Sequence, residues 1–281
     1  MVNDSNSEGT RVRPYAGAMV RMLITNDDGV DSPALLPLVT ALSALGDVDV
    51  VVPDRERSWI AKAITRHEEV VVESTNRRGV TIHTTTGYPA DCVQLGVYSL
   101  LESPPDLVVS GINIGFNHGL AYTLSSGTVG AAVEAWIAGV PAVAISAGTN
   151  GDWPEWVALA RSGESTEMWD RLAAVSRDIV AALLDHGFSD GADIISVNMP
   201  EDADIATPRR VVQIARVGYE RLFVERASGR FAHEYGGGFV HYGGLKGTDV
   251  EATRKGEIAI TPLVLPQSGS VPDALREALE G

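Results

Sequence analysis

A single cysteine, Cys92, leaves no partner for an intrachain disulfide, so a disulfide-stapled scaffold is excluded and an oxidising compartment gains no support. Its neighbours Val93, Leu95 and Val97 predict an inert thiol on a packed helix. Positive charge is also scarce: 22 Lys and Arg stand against 37 Asp and Glu, a formal net charge of −15. Affinity for a nucleic-acid backbone comes from clustered Lys and Arg that release counterions, so such a polymer is not the expected partner. A small phosphorylated substrate remains compatible, because a metal ion and backbone N–H groups act locally while distant charge is screened. No apolar run approaches the length of a membrane span, and residues 1–20 are polar, without the apolar stretch of a secretory signal. These residues are expected to form a disordered N-terminal extension on a cytoplasmic protein. The chain also lacks a Gly-x-Ser-x-Gly elbow and a Walker loop, and its six histidines do not show metalloprotease spacing.

The 281 residues, 44% of them hydrophobic, suffice for one principal domain with a full core. Short β-branched runs near 22–25, 48–53, 106–110 and 141–146 alternate with helical segments near 33–45, 89–101 and 128–138, the order of a parallel βαβ sheet. Residues 69–73 and 80–83 read as an inserted strand pair around an Arg77-Arg78-Gly79 turn. A long helix is predicted between Thr166 and His186, ended by Gly187. Trp153, Trp156 and Trp169 near it read as packing residues. After Pro200 the helical rhythm is lost, and residues 209–217 and 219–242 alternate like strands broken by Gly236-Gly237-Gly238 and Gly243-Gly244. The chain closes with a tail over 266–281 that includes a short helix.

The most informative stretch is Met22-Leu23-Ile24-Thr25-Asn26-Asp27-Asp28-Gly29-Val30, where a buried-strand pattern ends in two adjacent carboxylates and a turn glycine. Open parallel sheets bind ligands beyond the carboxyl ends of their strands, and paired oxygen ligands suit a hard divalent cation such as Mg²⁺ or Mn²⁺. A polar turn that caps the next helix is the competing explanation. A second polar segment follows another strand, Ser110-Gly111-Ile112-Asn113-Ile114-Gly115-Phe116-Asn117-His118-Gly119, and leads to Ser125-Ser126-Gly127-Thr128 before an apolar helix. That helix N-terminus could hold a phosphate, or Ser126 could be an ordinary cap.

Together with Pro53-Asp54-Arg55-Glu56-Arg57-Ser58, Gly87-Tyr88-Pro89-Ala90-Asp91, Ser196-Val197-Asn198-Met199-Pro200 and Gly247-Thr248-Asp249, these segments closely resemble the SurE (survival protein E) family of metal-dependent nucleotidases and phosphatases, over about 21–265. The resemblance implies a Rossmann-like, mostly parallel α/β sheet flanked by helices, with a β-rich C-terminal arm at 219–247 that exchanges between protomers of a homodimer or homotetramer. It implies a divalent metal held by Asp27, Asp28, Ser58 and Asn113. Of these, Asp27, Asp28 and Asn113 would be catalytic, with Asp27 either the base for a water molecule or a direct nucleophile. Phosphate would be held at Asn117, Ser126, Gly127 and Thr128. The implied reaction is hydrolysis of nucleoside 5′- or 3′-monophosphates. A pathway-specific phosphatase for another metabolite, a receiver-like signalling domain and a non-catalytic metabolite-binding module are the competing readings. Three departures concern the pocket: Trp59 follows Arg57-Ser58 where the family usually has glycine, Tyr88 replaces a usual threonine, and Ser125 replaces a usual tyrosine. Trp59, Lys62 and His118 are therefore the substrate-pocket candidates, with Trp59 either stacking on a base or closing the base site.

Overall fold

The computed structural model describes residues 19–188, 192–234, 238–266 and 268–281. The expected disordered extension thus falls almost wholly outside the described residues, as do Gly236 and Gly237 of the glycine run. Val20, placed in that extension by the sequence, opens the first strand.

In chain order the elements are β1 (Val20–Thr25), α1 (Leu35–Leu42), β2 (Gly46–Pro53), β3 (Val72–Arg77), β4 (Val80–Thr85), α2 (Pro89–Leu95, continued by a π turn over Gly96–Leu100), β5 (Leu107–Ile114), α3 (Leu120–Ser125), α4 (Gly127–Ile137), β6 (Ala142–Gly148), α5 (Trp153–Ala160), α6 (Thr166–His186) and β7 (Ile194–Pro200). The C-terminal part comprises β8 (Arg209–Val211), β9 (Val217–Tyr219), β10 (Phe223–Ala227), β11 (Arg230–His233), β12 (Phe239–His241), α7 (Asp249–Arg254), β13 (Ile258–Leu263) and α8 (Asp273–Glu280). Nine strands form one sheet in the order β3-β4-β2-β1-β5-β6-β7-β13-β8. The run from β4 to β7 is parallel, β3 pairs antiparallel with β4 and β13 with β7, and β8 joins β13 in parallel. This is the α/β architecture read from the sequence.

Both faces of the sheet are covered at its centre, which is why β5, β6 and β7 are buried almost throughout, whereas β2 and β4 nearer the edge keep polar, partly exposed positions. Successive side chains of β1 go to opposite sides: Met22 and Ile24 join α1 and α6 in one core, and Leu23 joins α2 and α4 in the other. Cys92 is fully buried in the second core, and burial pushes its thiol up to about 12, as an inert packing residue requires. Trp156 and Trp169 are buried as well, while Trp153 is substantially exposed.

The chain runs from β1 outward to β2 and β4, then returns through α2 to β5 on the opposite side of β1. Such a reversal of winding opens a crevice at the carboxyl ends of the two central strands. Between β8 and α7 the strands leave the main sheet, to which β13 returns: β10 and β11 form a hairpin, and β9 pairs with β12.

Candidate active site

The Asn26–Gly29 turn is built by the asparagine. Its Oδ1 accepts from Gly29 N at 3.0 Å and its Nδ2 donates to Gly29 O at 3.1 Å. Gly29 adopts φ +84°, and a Cβ there would meet the Arg55 carbonyl carbon at 2.6 Å, so only glycine lets the turns after β1 and β2 touch. Arg57 N then donates to Asp27 O at 2.7 Å, and Val30 N to Pro53 O at 3.0 Å. Neither aspartate caps α1, whose N-cap is Ala34 without a side-chain hydrogen bond. The helix-cap explanation of the acidic pair is thereby removed.

Asp27 accepts from Thr128 Oγ1 at 2.6 Å, and Asp28 accepts from Ile114 N at 3.0 Å. Both side chains are nearly inaccessible. Burial holds the Asp27 carboxyl above the usual carboxylate range; burial first, and then the Asp27 charge, does the same to Asp28. The nearest cation to Asp28, Arg161, is 3.8 Å away and makes its closer pair, 2.7 Å, with Glu56. The acidic pair is thus under-compensated, an electrostatic setting that a bound cation would relieve.

Asn113 reaches the same place because β5 carries an extra residue: Ser110 pairs with Ala144 but Asn113 with Ser146, a bulge that re-aims the strand end. Gly111, at φ +135°, allows it, since a Cβ there would lie 2.2 Å from Ile145 O. The Asn113 Nδ2 donates to Gly115 O at 2.6 Å, so Oδ1 is the atom left for an electrophile. Ser58 Oγ donates to Glu56 Oε1 at 2.6 Å, and the chain after it is not helical, so Ser58 is no N-cap.

These groups border a cavity of about 770 Å³, within the usual range for small-molecule sites. Asp27, Ser58, Asn113, Asn117, His118 and Ser126 line it. Asp28 lies behind, touching the β5 backbone. Two expectations change. Thr128 is fully buried, and its hydroxyl is committed to Asp27 rather than turned to the cavity. Lys62 does not line the cavity: its ammonium forms a short ion pair with the buried carboxylate of Glu134, which also takes a short hydrogen bond from Gln94. A buried acid needs such a partner, and that need outweighs any pull from the pocket.

Asn117 and His118 are fixed structurally. Asn117 donates through N to Asn198 Oδ1 at 2.8 Å and through Nδ2 to Ser146 Oγ at 2.9 Å. His118 stacks on Phe116 with centroids 4.6 Å apart and shares a 2.9 Å hydrogen bond with Thr253 Oγ1. Burial, aided by the Arg254 charge, pushes its imidazole down to about 3, so it presents a neutral ring. The Asp249 carboxylate pins the loop from below, accepting from Gly119 N at 2.7 Å, Ala215 N at 2.9 Å and Val250 N at 2.8 Å. The Gly247-Thr248-Asp249 segment is thereby a tie between the site loop and the C-terminal strands.

The first turn of α4 is clamped between loops. A Cβ on Gly127 would stand 2.9 Å from Asp27 Cβ, and one on Gly130 would stand 2.3 Å from Ala61 O. Ser126 Oγ caps the helix, accepting from Val129 N at 3.1 Å. The outer wall is aromatic: Trp59, at φ +59°, has Tyr219 at 5.3 Å and His233 at 5.0 Å, centroid to centroid. The Tyr219 hydroxyl also makes a short hydrogen bond with Ser125, where the resembling family usually has a tyrosine of its own.

The family model described as "Survival protein SurE" matches residues 22–222. The chain belongs to the SurE family. Similar SurE proteins include the 5′-nucleotidase SurE of Geotalea uraniireducens, 38% identical over 88% of this chain and 93% of that one. That of Methanopyrus kandleri is 36% identical over 93% and 100%. The solved structure of the SurE protein from Aquifex aeolicus superimposes with a TM-score of 0.70 at 30% identity, covering 92% of this chain and 98% of that one. Membership leaves the receiver-like reading without support. The sequence assigned no role to Glu56, Phe116 and Arg161, which the structure brings into the wall, and it read Trp153, also in the wall, as a packing residue. Glu56 and Phe116 sat inside segments already singled out. Trp153 opens α5 and Arg161 follows its last residue, and that helix carries no recognisable local pattern.

Proposed function

We propose that this protein is a divalent-metal-dependent phosphomonoesterase that hydrolyses nucleoside 5′- or 3′-monophosphates to nucleoside and orthophosphate. The observation that carries the reading is the adjacent, buried and under-compensated Asp27–Asp28 pair at the reversal point of a SurE sheet, opening on a cavity large enough for a nucleotide. The donor set fits a hard cation: two carboxylates from Asp27 and Asp28, a hydroxyl from Ser58 and an amide oxygen from Asn113, all oxygen. Among the described residues no group of three or more His, Cys, Asp or Glu side chains forms an alternative cage. We assign Mg²⁺ or Mn²⁺, which when bound polarises a phosphoryl oxygen and acidifies water.

Asp27, on the cavity wall, would orient the attacking water and accept its proton; Thr128 fixes the carboxylate that does so. Asp28 would hold the cation, itself held by Ile114 N. Ser126 and the α4 N-terminus would receive the phosphate, with Asn117 keeping the loop in place. Neutral His118 would bound the pocket without carrying charge, and Trp59 would face the leaving group. A phosphate-release screen over nucleotides and sugar phosphates, with EDTA or added Mn²⁺, tests this. Hydrolysis insensitive to EDTA refutes the metal assignment, and preference for a sugar phosphate refutes the nucleotide assignment.

The same reading makes the chain a homodimer or homotetramer joined through 219–247. Its support is the β10–β11 hairpin, which pairs with no other strand among the described residues and leaves Phe223 and Phe231 exposed. Light scattering that finds a monomer overturns it. A cytoplasmic location is proposed from the lone cysteine; no helix among the described residues is long and apolar enough to cross a membrane.

A further inference from the structure

The charge balance of the cavity leaves a requirement that the cation alone does not meet. A phosphate monoester arrives as a dianion beside Asp27, Asp28 and Glu56, so one divalent ion still leaves the acid cluster and substrate with excess negative charge. Among the described residues two cationic side chains line the cavity, Arg161 and Arg254. Arg254 lies over the Phe239 ring, 5.0 Å from its centroid, beside His118. Arg161 is the one that reaches the acid cluster, with Nη1 2.7 Å from Glu56 Oε2 and Nη2 3.8 Å from Asp28 Oδ1.

The anchor of Arg161 is rigid although its side chain remains partly exposed. It follows α5 directly, and the last residue of that helix, Ala160, is fully buried. The Ala160 carbonyl accepts from Trp169 Nε1 at 2.9 Å and from Ser165 Oγ at 2.9 Å, fastening the end of α5 to the start of α6. The guanidinium therefore projects from a fixed point over the acid pair. Its 3.8 Å approach to Asp28 is too long for a hydrogen bond, so the Nη2 donors remain free to turn to a nearer anion.

We propose that Arg161 is a catalytic residue that grips the transferring phosphoryl group, its guanidinium donating to phosphoryl oxygens while Glu56 holds the other edge of the fork. A planar guanidinium matches phosphate geometry, and charge fixed where negative charge is redistributed is worth most in a water-poor site. The inference rests on the phosphomonoesterase reading of the same cavity. Its rival is that Arg161 serves only as a counter-ion for Asp28 and Glu56.

The two are separated by Arg161→Met and Arg161→Lys, each verified as folded by its melting curve. Three quantities are compared with wild type: the calorimetric Kd for Mn²⁺ alone, the Kd for orthophosphate at saturating Mn²⁺, and kcat/KM on a nucleoside monophosphate. A phosphate grip requires at least a tenfold weaker orthophosphate affinity and about a hundredfold lower kcat/KM in Arg161→Met, with Mn²⁺ affinity unchanged or tighter. Arg161→Lys should recover only part of both, lacking the fork. If Arg161→Met fails to fold, Arg161→Lys decides by the same criteria. Orthophosphate affinity and kcat/KM within twofold of wild type overturn the proposal, as does a loss confined to Mn²⁺ binding. A wild type that binds orthophosphate through Arg161 yet cleaves no monophosphate refutes the enzymatic reading and leaves the anion grip standing.

Discussion

Replacing Asp27 by asparagine should abolish turnover and at the same time make the metal-free protein more stable. Asparagine keeps an oxygen for the Thr128 hydroxyl, so the 2.6 Å hydrogen bond survives while a buried charge next to Asp28 is removed. Relief of such a desolvated, under-compensated charge is worth about 1–3 kcal/mol. The pH dependence has a defined sign. Both carboxyls are held above their ordinary range, Asp27 by burial and Asp28 by burial and then by its neighbour, so each binds its proton more tightly when folded. Their contribution is complete below the unfolded value of about 3.9 and disappears as pH rises through the raised folded values. In EDTA the wild type should therefore lose stability between about pH 4 and about pH 8, and Asp27→Asn should lose less. Mn²⁺ at a hundred times Kd gives wild type ~2.7 kcal/mol and about 5–10 °C in Tm, which offsets most or all of the variant's advantage. Calorimetric melting of both proteins from pH 4 to 8, with EDTA or Mn²⁺, measures all of this. A variant less stable than wild type in EDTA at pH 7.5, or one showing the full Mn²⁺ shift, would refute the reasoning.

Three further outcomes follow from individual contacts. Trp59→Gly exchanges a left-handed tryptophan for the residue that prefers that conformation, so stability should stay within about 1 kcal/mol while ring contacts are lost; the ranking of nucleotides should change more than hydrolysis of a small generic ester, and parallel changes in kcat/KM would count against it. Lys62→Met strands the buried Glu134 carboxylate, and a chemical denaturation curve should show a loss of about 1–3 kcal/mol with kcat/KM within threefold of wild type. Asp249→Ala orphans three backbone N–H donors and should cost about 3–5 kcal/mol in the same assay, a loss under 1 kcal/mol being incompatible with the tie described above.

Much of the scaffold was legible because it is encoded locally. The helix predicted between Thr166 and His186 runs over those residues and is closed by Gly187 at φ +77°. The inserted hairpin was found but misplaced: the Val70–Val72 run suggested a strand at 69–73, whereas the first strand is Val72–Arg77. The turn sets its register. Arg78 and Gly79 both have positive φ, fixing Arg77 opposite Val80, so polar Ser74 and Asn76 pair in place of the apolar run. At the site, the acidic turn was visible because Asn26, Gly29 and both carboxylates are neighbours in sequence. Lys62 went the other way: nothing near residue 62 announces a buried glutamate 72 positions later. Arg161 was invisible for the same reason, since its partners Glu56 and Asp28 are brought to it only by the sheet and α5.

The zero-clearance contacts of Gly127 with Asp27 and of Gly130 with Ala61 divide the pocket into two regions of unequal steric tolerance. The acidic turn, the loop after β2 and the start of α4 form a single block in which a methyl group added at Gly29, Gly127 or Gly130 must displace a neighbour. Trp153 and Phe239 of the C-terminal strands bound the same cavity from outside that block, and Trp59, carried on the block, turns its ring outward to Tyr219 and His233. Diversification of substrate, natural or by directed selection, is therefore channelled to this rim, where a library can be built with the reaction itself held constant.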